Sequence, residues 1–457
     1  MSDELQIIIM AAGLGTRMKS RTVKVLHRAA GRPLIDYVVD LAHEISDAAP
    51  VVVVGHQREA VQQHVGDRAR YAVQEQQLGT GHAVQQAIDQ IKAKEVLILS
   101  GDVPLTRAET LLRLIEEHRR SRNALTLLTM NLGDPGLYGR IVRDAKGAVE
   151  RIVEAKDANE QQRAIREVNA GIYIFDGGHL VSNLKKLSTN NAQGEYYLTD
   201  LIGMLREDGK RVGALLIENP VEVLGVNSRS ELATVEGEIQ RRVVERLMSE
   251  GVTFRNPSTV VIDSTVSIGP DTVVYPFVTL EGTTRIGTGC VIEPGVHLQN
   301  VAVGNDVHLK TGTVAEDAVI EDEATVGPYA HLRPGTELAR HVKIGNFVET
   351  KKATFGEGAK ASHLSYIGDA EVGADVNIGA GTITCNYDGV SKHKTVLEDG
   401  AFIGSDTQLV APVRVGRGAY VGAGSTITKD VPPDSLALSR VPQKVVEGWA
   451  KQRRKKK

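Results

Sequence analysis

The sequence predicts an α/β protein with a Rossmann-like N-terminal domain, a helical linker and a C-terminal parallel β-helix of hexapeptide repeats. Three observations lead to this fold class. The chain has 457 residues, too many for one compact domain. Short apolar strands alternate with amphipathic helices up to about residue 227, whereas an aliphatic-glycine pair recurs at multiples of six from about residue 253. Glycine is frequent, with 46 residues, and aromatic residues make up only 4%, which is typical of a fold with many tight turns.

In the first half of the chain, the predicted strands are short and almost wholly apolar. They cover residues 5–10, 51–54 and 95–99, and the predicted helices cover residues 33–45, 79–91 and 107–120. Continuous apolar strands are buried on both faces, so this order indicates a mainly parallel sheet with helices on both sides. Ligands of such sheets bind at the carboxyl ends of the strands, and we expect functional residues there.

A charged, amphipathic segment separates the two patterns. Its apolar residues fall at three- and four-residue spacing, which predicts a helix, and they are Leu232, Val235, Ile239, Val243 and Leu247. The predicted domains are therefore residues 1–227, a helical linker at 228–251, and a β-helix with its C-terminal tail at 252–457.

The second half carries the repeat of a parallel β-helix. Its aliphatic-glycine pairs include Ile268-Gly269, Ile286-Gly287, Val326-Gly327, Ile344-Gly345, Val372-Gly373, Ile378-Gly379, Val415-Gly416 and Val421-Gly422. Each six-residue unit forms one flat face of a triangular coil, and stacked coils bury a continuous aliphatic column. Residues 387–399 break the period and are predicted to leave the coil as a loop. The repeat alone fits an enzyme domain and a structural stalk equally well.

Composition excludes several classes of partner. The net charge of -3 gives no pull toward nucleic acid or an anionic membrane, and we expect neither as a partner. The basic tail at 451–457 is predicted to be solvated. The apolar run at 7–12 is too short to span a bilayer, and no signal peptide is predicted. Cys290 and Cys385 lack metal-ligand spacing and are expected to be reduced packing thiols of a cytoplasmic protein.

A glycine-rich segment, Ala-Ala-Gly-Leu-Gly-Thr-Arg-Met at 11–18, follows the first strand and precedes Lys24. Glycines let the backbone approach a phosphate, and exposed N–H groups bind its oxygens. The segment resembles the signature of nucleotide-sugar pyrophosphorylases, although Val23 stands where that family usually has proline. The resemblance implies that Arg17 and Lys24 neutralise phosphate charge during catalysis. It assigns phosphate contacts to the backbone of Ala11, Ala12 and Gly13.

A second segment, Gln-Glu-Gln-Gln-Leu-Gly-Thr-Gly-His-Ala at 74–83, resembles the base-binding segment of the bacterial bifunctional N-acetylglucosamine-1-phosphate uridyltransferases. The resemblance implies that Gln74, Gly79 and Thr80 contact uracil. An amide side chain suits uracil, which offers a donor and acceptors along one edge. Without the resemblance, Gln74 could equally end an edge strand in solvent.

Ser100, Gly101 and Asp102 follow the apolar strand at 95–99. An Asp in this place is often only a turn former. The resemblance implies instead that Asp102 and Asn227 hold Mg²⁺, which needs few protein ligands beside substrate phosphates and water. The family's sugar-binding positions correspond to Gly139, Glu154 and Asn169.

The match is densest in the β-helix, in the segments HLRPGTEL, GNFVETKKA, ASHLSYIGDAEVG, NIGAGTITCNYDG, GSDTQLVAPV and SRVPQ. They resemble the glucosamine-1-phosphate N-acetyltransferase domain of the same bifunctional family, a left-handed β-helix. Imidazole titrates near neutral pH, so His363 is the candidate general base. Sugar phosphate contacts would come from Arg333, Lys351, Tyr366, Asn377, Asn386 and Tyr387. Asn386 would also stabilise the oxyanion. Acetyl-CoA contacts would come from Ala380, Ser405, Ala423 and Arg440.

The resemblance covers nearly the whole chain and implies a homotrimer in which the C-terminal segment, including Trp449, packs on a neighbour. The expected enzyme acetylates glucosamine-1-phosphate with acetyl-CoA. It then joins N-acetylglucosamine-1-phosphate to UTP with Mg²⁺, giving UDP-N-acetylglucosamine, a precursor of the cell wall and of lipopolysaccharide. The alternatives are a sugar-1-phosphate nucleotidyltransferase with a purely structural or regulatory β-helix, and a scaffold with degenerate sites. The set of Arg333, Lys351, His363, Tyr366 and Asn377 favours the bifunctional enzyme.

Overall fold

In the computed structural model, a mixed β-sheet forms the core of the first of two compact units. The first unit is Met1–Ile239, and the second is Gln240–Lys457. The structure describes residues 4–454. In spatial order the sheet strands are Val212–Leu216, Leu125–Asn131, Glu167–Asp176, Glu95–Ser100, Leu5–Met10, Val51–Val54 and Arg70–Val73, with Arg140–Arg143 and Val149–Val153 attached at one side. The strand Glu167–Asp176 runs antiparallel to both neighbours. The expected Rossmann-like α/β layer is confirmed. Its sheet is mainly parallel, as predicted, and Glu167–Asp176 is the one antiparallel strand along this seven-strand path.

Helices cover the sheet and bury two apolar layers against it. They are Leu34–Ile45, Arg58–Val65, Thr80–Gln85, Ala108–Ser121, Glu160–Arg163, Gly177–Leu184 and Asp200–Glu207. The helix predicted at 79–91 ends early, at Gln85, and a short 3₁₀ turn at Ile88–Gln90 follows it. Further 3₁₀ turns lie at Thr16–Met18, Lys24–Leu26, Gly66–Arg68 and Pro220–Val223, and a short hairpin joins Arg28–Ala29 to Arg32–Pro33.

A long helix, Arg229–Ser249, contains the point at which the two units divide. Its apolar positions Val235, Ile239, Val243 and Leu247 are buried, as the spacing predicts. Within residues 4–454, no helix is both long enough and apolar enough to cross a membrane.

The second unit is a β-helix whose short parallel strands stack on three faces. Face A, which carries Asn377, contains Thr253–Phe254, Val273–Val274, Val291–Ile292, His308–Leu309, Thr325–Val326, Asn377–Ile378, Phe402–Ile403, Tyr420–Val421 and Leu436–Ala437. Face B contains Val261–Ile262, Thr279–Glu281, His297–Gln299, Val314–Glu316, His331–Leu332, Ile383–Cys385, Gln408–Val410 and Thr426–Ile427. Face C contains Ser267–Ile268, Arg285–Ile286, Ala302–Val303, Val319–Ile320, Glu337–Leu338, Thr395–Leu397 and Val413–Val415. The predicted hexapeptide-repeat coil is confirmed.

Two long strands, Lys343–Phe355 and Lys360–Val372, each run through all three faces. Their register places Asn346 beside His363, Glu349 beside Tyr366 and Lys351 beside Gly368. The edge between faces A and B, which carries His363, is called the first corner below. The edge between faces B and C, which carries Lys351, is the second corner.

The segment predicted to leave the coil at 387–399 does so over a shorter range. Thr395–Leu397 already pairs with the strands of the coils before and after it. The excursion is therefore limited to about residues 386–394, and it is closed by a bridge between Tyr387 and Lys392. A short C-terminal helix, Trp449–Arg454, follows the coil.

Candidate active sites

The glycine-rich loop begins where the first sheet strand ends, and two neighbouring strands fix its start. The N–H of Ala11 donates to the Val53 carbonyl at 2.9 Å, and the N–H of Gly101 donates to the Met10 carbonyl at 2.9 Å. The loop borders a cleft of about 430 Å³ at the carboxyl ends of the strands. The predicted residues that line it are Ala11, Ala12, Gly13, Arg17, Lys24, Gln74, Gly79, Thr80, Ser100, Asp102 and Asn227.

Asp102 and Asn227 converge on one point in this cleft, although 125 residues separate them in the sequence. The Lys24 ammonium donates to the Asp102 carboxylate and, at 3.1 Å, to the amide oxygen of Asn227. The backbones also meet, because the N–H of Val226 donates to the Asp102 carbonyl at 2.9 Å. One carboxylate oxygen and one amide oxygen thus face a common cation, and oxygen donors of this kind fit Mg²⁺.

The predicted base-binding residues form a polar wall of the same cleft. The side chain of Gln74 is buried, and its amide donates to the Gly79 carbonyl at 3.1 Å and contacts His82 Nδ1 at 3.0 Å. The Thr80 hydroxyl accepts from the Leu198 N–H at 3.1 Å. The two bonds of the Gln74 amide fix its plane and use its N–H groups, so its carbonyl oxygen is left to accept from a ligand N–H.

The predicted sugar residues lie together near the same strand ends. The N–H of Asn169 donates to the Gly139 carbonyl at 2.9 Å, and a Cβ on Gly139 would lie 3.4 Å from a Glu154 oxygen. The Glu154 carboxylate accepts from the Thr199 hydroxyl at 3.0 Å. Burial raises the pKa of Glu154, and the Asp157 carboxylate adds to the effect. A largely enclosed acceptor beside a glycine suits a ligand hydroxyl or amide.

On the β-helix, a cation cluster occupies the second corner. The side chains of Lys351 and Lys392 interact, which lowers the pKa of Lys351 and raises the pKa of Lys392. Arg333 adds a third positive charge and donates to Glu349 at 2.8 Å. The Glu349 and Asp369 carboxylates balance part of this charge, and an anion would add charge-assisted hydrogen bonds.

Tyr366 and Asn386 lie at the edge of this cluster. The Asn386 amide lies 3.5 Å from the Tyr366 hydroxyl and donates to the Asp369 carboxylate. Tyr387, the next residue, is exposed and donates to the Gly389 carbonyl at 2.6 Å. The second corner therefore gathers most of the predicted sugar phosphate residues.

His363 lies on the first corner, apart from the cation cluster. Its ring is exposed, and Nδ1 lies 3.0 Å from the Asn346 amide oxygen of the previous coil. With Nδ1–H donated to that oxygen, Nε2 carries the lone pair that can accept a proton. Asn377 lies on face A, paired with Lys360 and Phe402.

The predicted acetyl-CoA residues continue the first corner beyond His363. Ala380, Ser405 and Ala423 occupy equivalent corner positions of the next three coils, each after a glycine that follows a face A strand. The Arg440 guanidinium reaches the same corner and donates to the Ala423 carbonyl at 2.8 Å. A column of small residues that ends in an arginine gives an extended ligand close access to the backbone.

Four residues of the β-helix sites were not predicted, and they are Asn346, Glu349, Asp369 and Lys392. The coil spacing contains a signal for two of them, since Asn346 precedes His363 by 17 residues and Asp369 precedes Asn386 by 17 residues. Lys392 lies in the excursion, which has no periodicity, and only the fold brings it to Lys351.

Comparisons with known proteins match one family model to the first unit and another to the β-helix. The family model of nucleotidyl transferases matches residues 6–219, and that of the bacterial transferase hexapeptide (six repeats) matches residues 394–429. The chain is 53% identical to the bifunctional protein GlmU of Syntrophotalea carbinolica over 451 residues, covering 98% of this chain and 97% of the relative. It is 51% identical to that of Pelobacter propionicus over 459 residues, covering 99% and 100%. The chain therefore belongs to the family of the bifunctional protein GlmU.

Proposed function

We propose how this bifunctional enzyme of UDP-N-acetylglucosamine biosynthesis divides its two reactions between the units. The β-helix transfers the acetyl group of acetyl-CoA to the amine of glucosamine-1-phosphate. The N-terminal unit transfers a uridylyl group from UTP to N-acetylglucosamine-1-phosphate and releases pyrophosphate. We keep residues 1–227, 228–251 and 252–457 as the limits of the uridylyltransferase domain, linker and acetyltransferase domain. Because acetyl-CoA and UTP are the co-substrates, we place the protein in the cytoplasm.

One observation carries the choice of a catalytic rather than a structural β-helix. A coil that served only as a stalk would not need Arg333, Lys351 and Lys392 gathered at one exposed corner, with fewer carboxylates than cations beside them. A phosphate monoester would accept charge-assisted hydrogen bonds from these three cations. Glucosamine-1-phosphate is the substrate that supplies this group.

In acetyl transfer, the sugar amine attacks the thioester carbon, and the carbon–sulfur bond breaks. We assign proton acceptance from the amine to His363 Nε2, because Nδ1 faces the Asn346 oxygen at 3.0 Å. The CoA thiolate leaves and takes up a proton. Asn386 would donate its amide N–H to the tetrahedral oxyanion. Tyr366 and Asn377 would hold the sugar, and Arg440 would bind a CoA phosphate.

In uridylyl transfer, a phosphate oxygen of the sugar attacks the α-phosphorus of UTP, and the bond to the pyrophosphate breaks. Lys24 and Arg17 would bind phosphate oxygens, while Gln74, Gly79 and Thr80 hold uracil. Gly139, Glu154 and Asn169 would hold the sugar and its N-acetyl group. Mg²⁺ held by Asp102 and Asn227 would neutralise charge on the phosphates. Catalysis would come from positioning and charge neutralisation, without a covalent enzyme intermediate.

We also propose that the chain acts as a homotrimer. Bulky apolar side chains project from the first corner at Tyr329, Phe347 and Leu364, which lie on three successive coils, and at Phe277 on an earlier coil. Each is more than half exposed, and the rings of Tyr329 and Phe347 stack with centroids 6.0 Å apart. Apolar surface arranged along one edge suits burial against a second copy. Since His363 lies on this edge and the cation cluster lies on another, neighbouring copies would complete the acetyltransferase site for each other.

The proposed function is tested by incubating the full-length protein with glucosamine-1-phosphate, acetyl-CoA, UTP and Mg²⁺ and following products by mass spectrometry. A second reaction replaces the first two reagents with N-acetylglucosamine-1-phosphate. We expect UDP-N-acetylglucosamine in both. Product only from the pre-acetylated sugar would leave a uridylyltransferase with a structural β-helix.

Two substitutions should separate the activities. We expect His363→Ala to lower acetyl transfer about 10²- to 10⁴-fold, because the general base is lost, and to leave uridylyl transfer nearly unchanged. Asp102→Ala should show the reverse pattern, because a proposed metal ligand is lost. Both rates are measured with the separate half-reactions. His297→Ala, which changes an exposed histidine paired with Glu281, is the matched control and should retain both activities. Equal loss of both activities in a folded His363→Ala protein would contradict the assignment.

Lys392→Ala tests the residue that the sequence did not reveal. We expect KM for glucosamine-1-phosphate to rise about tenfold, because one charge-assisted phosphate contact is lost. Steady-state acetyl transfer gives KM, and uridylyl transfer should not change. Lys429→Ala removes an exposed lysine from a later coil and serves as the control. An unchanged KM in Lys392→Ala would remove this residue from the phosphate site.

Glu154→Gln should stabilise the first unit in a pH-dependent way. Because burial raises the pKa of Glu154 in the folded state, the stability associated with its protonated form is present at low pH. That stability is lost as the pH rises through the raised pKa. Glu154→Gln has no carboxylate to ionise and avoids this loss. The difference in the free energy of unfolding between the variant and wild type should therefore grow from about pH 4 to pH 8. Amide hydrogen exchange of Val149–Val153 and Glu167–Asp176, followed by mass spectrometry, measures it.

The control for this measurement is Glu150→Gln, which changes an exposed glutamate on the same strand as Val153. It should give no pH-dependent advantage. If Glu154→Gln and wild type differed equally at both ends of the pH range, burial of the charged carboxylate would not be the cause.

A further inference from the structure

The helix Arg229–Ser249 begins two residues after the proposed metal ligand Asn227, and its first turn contacts both sides of the nucleotide cleft. On one side, the Arg229 guanidinium donates to the Met18 carbonyl at 3.3 Å, at the end of the glycine-rich loop. On the other side, the Asn227 N–H donates to Glu231 Oε2 at 2.8 Å. The helix is thus joined to the loop and to the metal ligand within one turn.

Ser228 and Glu231 form a variant of the capping box, in which the glutamate carboxylate binds the backbone N–H of the residue before the N-cap. The Ser228 hydroxyl accepts from the Glu231 N–H at 3.3 Å and donates to Glu231 Oε2 at 3.0 Å. In the usual capping box, the glutamate returns to the backbone N–H of the N-cap residue itself. Here the carboxylate binds the N–H of Asn227, one residue earlier. The bond therefore fixes the backbone of a functional residue rather than only closing the helix.

The remaining bonds of this segment leave Asn227 little freedom. Its side-chain amide donates to the Gly225 carbonyl at 3.3 Å, so the amide oxygen is left to face Lys24 at 3.1 Å. The preceding residue, Val226, is tied to the Asp102 backbone at 2.9 Å. Glu231 and Asp102 hold the backbone before the Asn227 Cα, and the Ser228 cap holds the chain after it. The bond to the Gly225 carbonyl then orients the side-chain amide.

We propose that Glu231 is a positioning residue of the uridylyltransferase site, which holds Asn227 so that its amide oxygen and the Asp102 carboxylate face the same cation. The proposal rests on the proposed function, because it takes Asn227 as a metal ligand. Asp102 and Asn227 line the cleft, whereas Glu231 is not among the residues that line it. Its effect is indirect, through the peptide N–H that it accepts. Partners of this outer kind typically change metal affinity or activity 10- to 100-fold when they are removed.

The test measures UTP binding to the full-length protein by calorimetry, once with Mg²⁺ and once with EDTA, in the absence of sugar phosphate. The ratio of the dissociation constant with EDTA to that with Mg²⁺ reports how much the ion strengthens UTP binding. No turnover is involved. We expect Glu231→Ala to reduce this ratio about tenfold. Glu231→Gln should keep most of it, because the glutamine oxygen can still accept from the Asn227 N–H.

Two controls separate positioning from helix stability. Ser228→Ala removes the cap hydroxyl but leaves the bond between Glu231 and Asn227, so the ratio should stay near wild type. Glu245→Ala removes an exposed carboxylate from the same helix, where it pairs with Arg241, and should have no effect. Circular dichroism checks that each variant retains its helices.

Each outcome decides between explanations. An unchanged ratio in Glu231→Ala would overturn the positioning role and leave the proposed function intact. Equal loss in Glu231→Gln and Glu231→Ala would show that charge, rather than the hydrogen bond, matters, and would also overturn it. Wild-type protein whose UTP binding ignores Mg²⁺ would overturn the metal site and this inference together.

Discussion

Parallel pairing of strands determines where the functional side chains of both units lie. In the first unit, the parallel strands that end at Met10, Val54 and Ser100 deliver their following loops to one edge of the sheet. In the second unit, parallel pairing stacks equivalent positions of successive coils directly above one another. Each site is therefore a set of residues that are distant in sequence and adjacent across a ladder of backbone hydrogen bonds. The glycine-rich loop, Asp102, the second-corner cations Arg333 and Lys351 and the column above His363 all depend on that ladder.

The two sites differ in how far carboxylates balance their positive charges. In the cleft, the positive Lys24 is balanced by the Asp102 carboxylate, and the side chains of both are only 15% exposed. On the β-helix, Arg333, Lys351 and Lys392 share two carboxylates, Glu349 and Asp369, and keep an excess of positive charge. Solvent screening makes that excess tolerable, since the group is at the surface. In the proposed function, the β-helix site would bind an anion, whereas the cleft would hold both a cation and phosphates.

The sequence predicted the architecture well because its signals are local and repeated. The aliphatic-glycine pairs located the coil, and the apolar strand at Glu95–Ser100 located the edge where Asp102 lies. The sequence could not show which side chains meet across coils once the period is broken. Lys392 reaches Lys351 only because the excursion folds back, with Asp388 accepting from Val390, Ser391 and His393. The role of Glu231 was also hidden, because a charged residue near a helix start has many ordinary explanations.

The excursion at residues 386–394 leaves the coil, but the strands before and after it stay paired with the neighbouring coils. Cys385 pairs with Val410 below the point of departure, and Val396 pairs with both Glu371 and Arg414 after the return. The backbone ladder is thus continuous on both sides of the excursion. A solenoid with this property can acquire new surface loops by insertion at a corner, at little cost to the neighbouring coils. Substrate preference in such a protein can therefore diverge through loop length and content while the supporting wall stays the same.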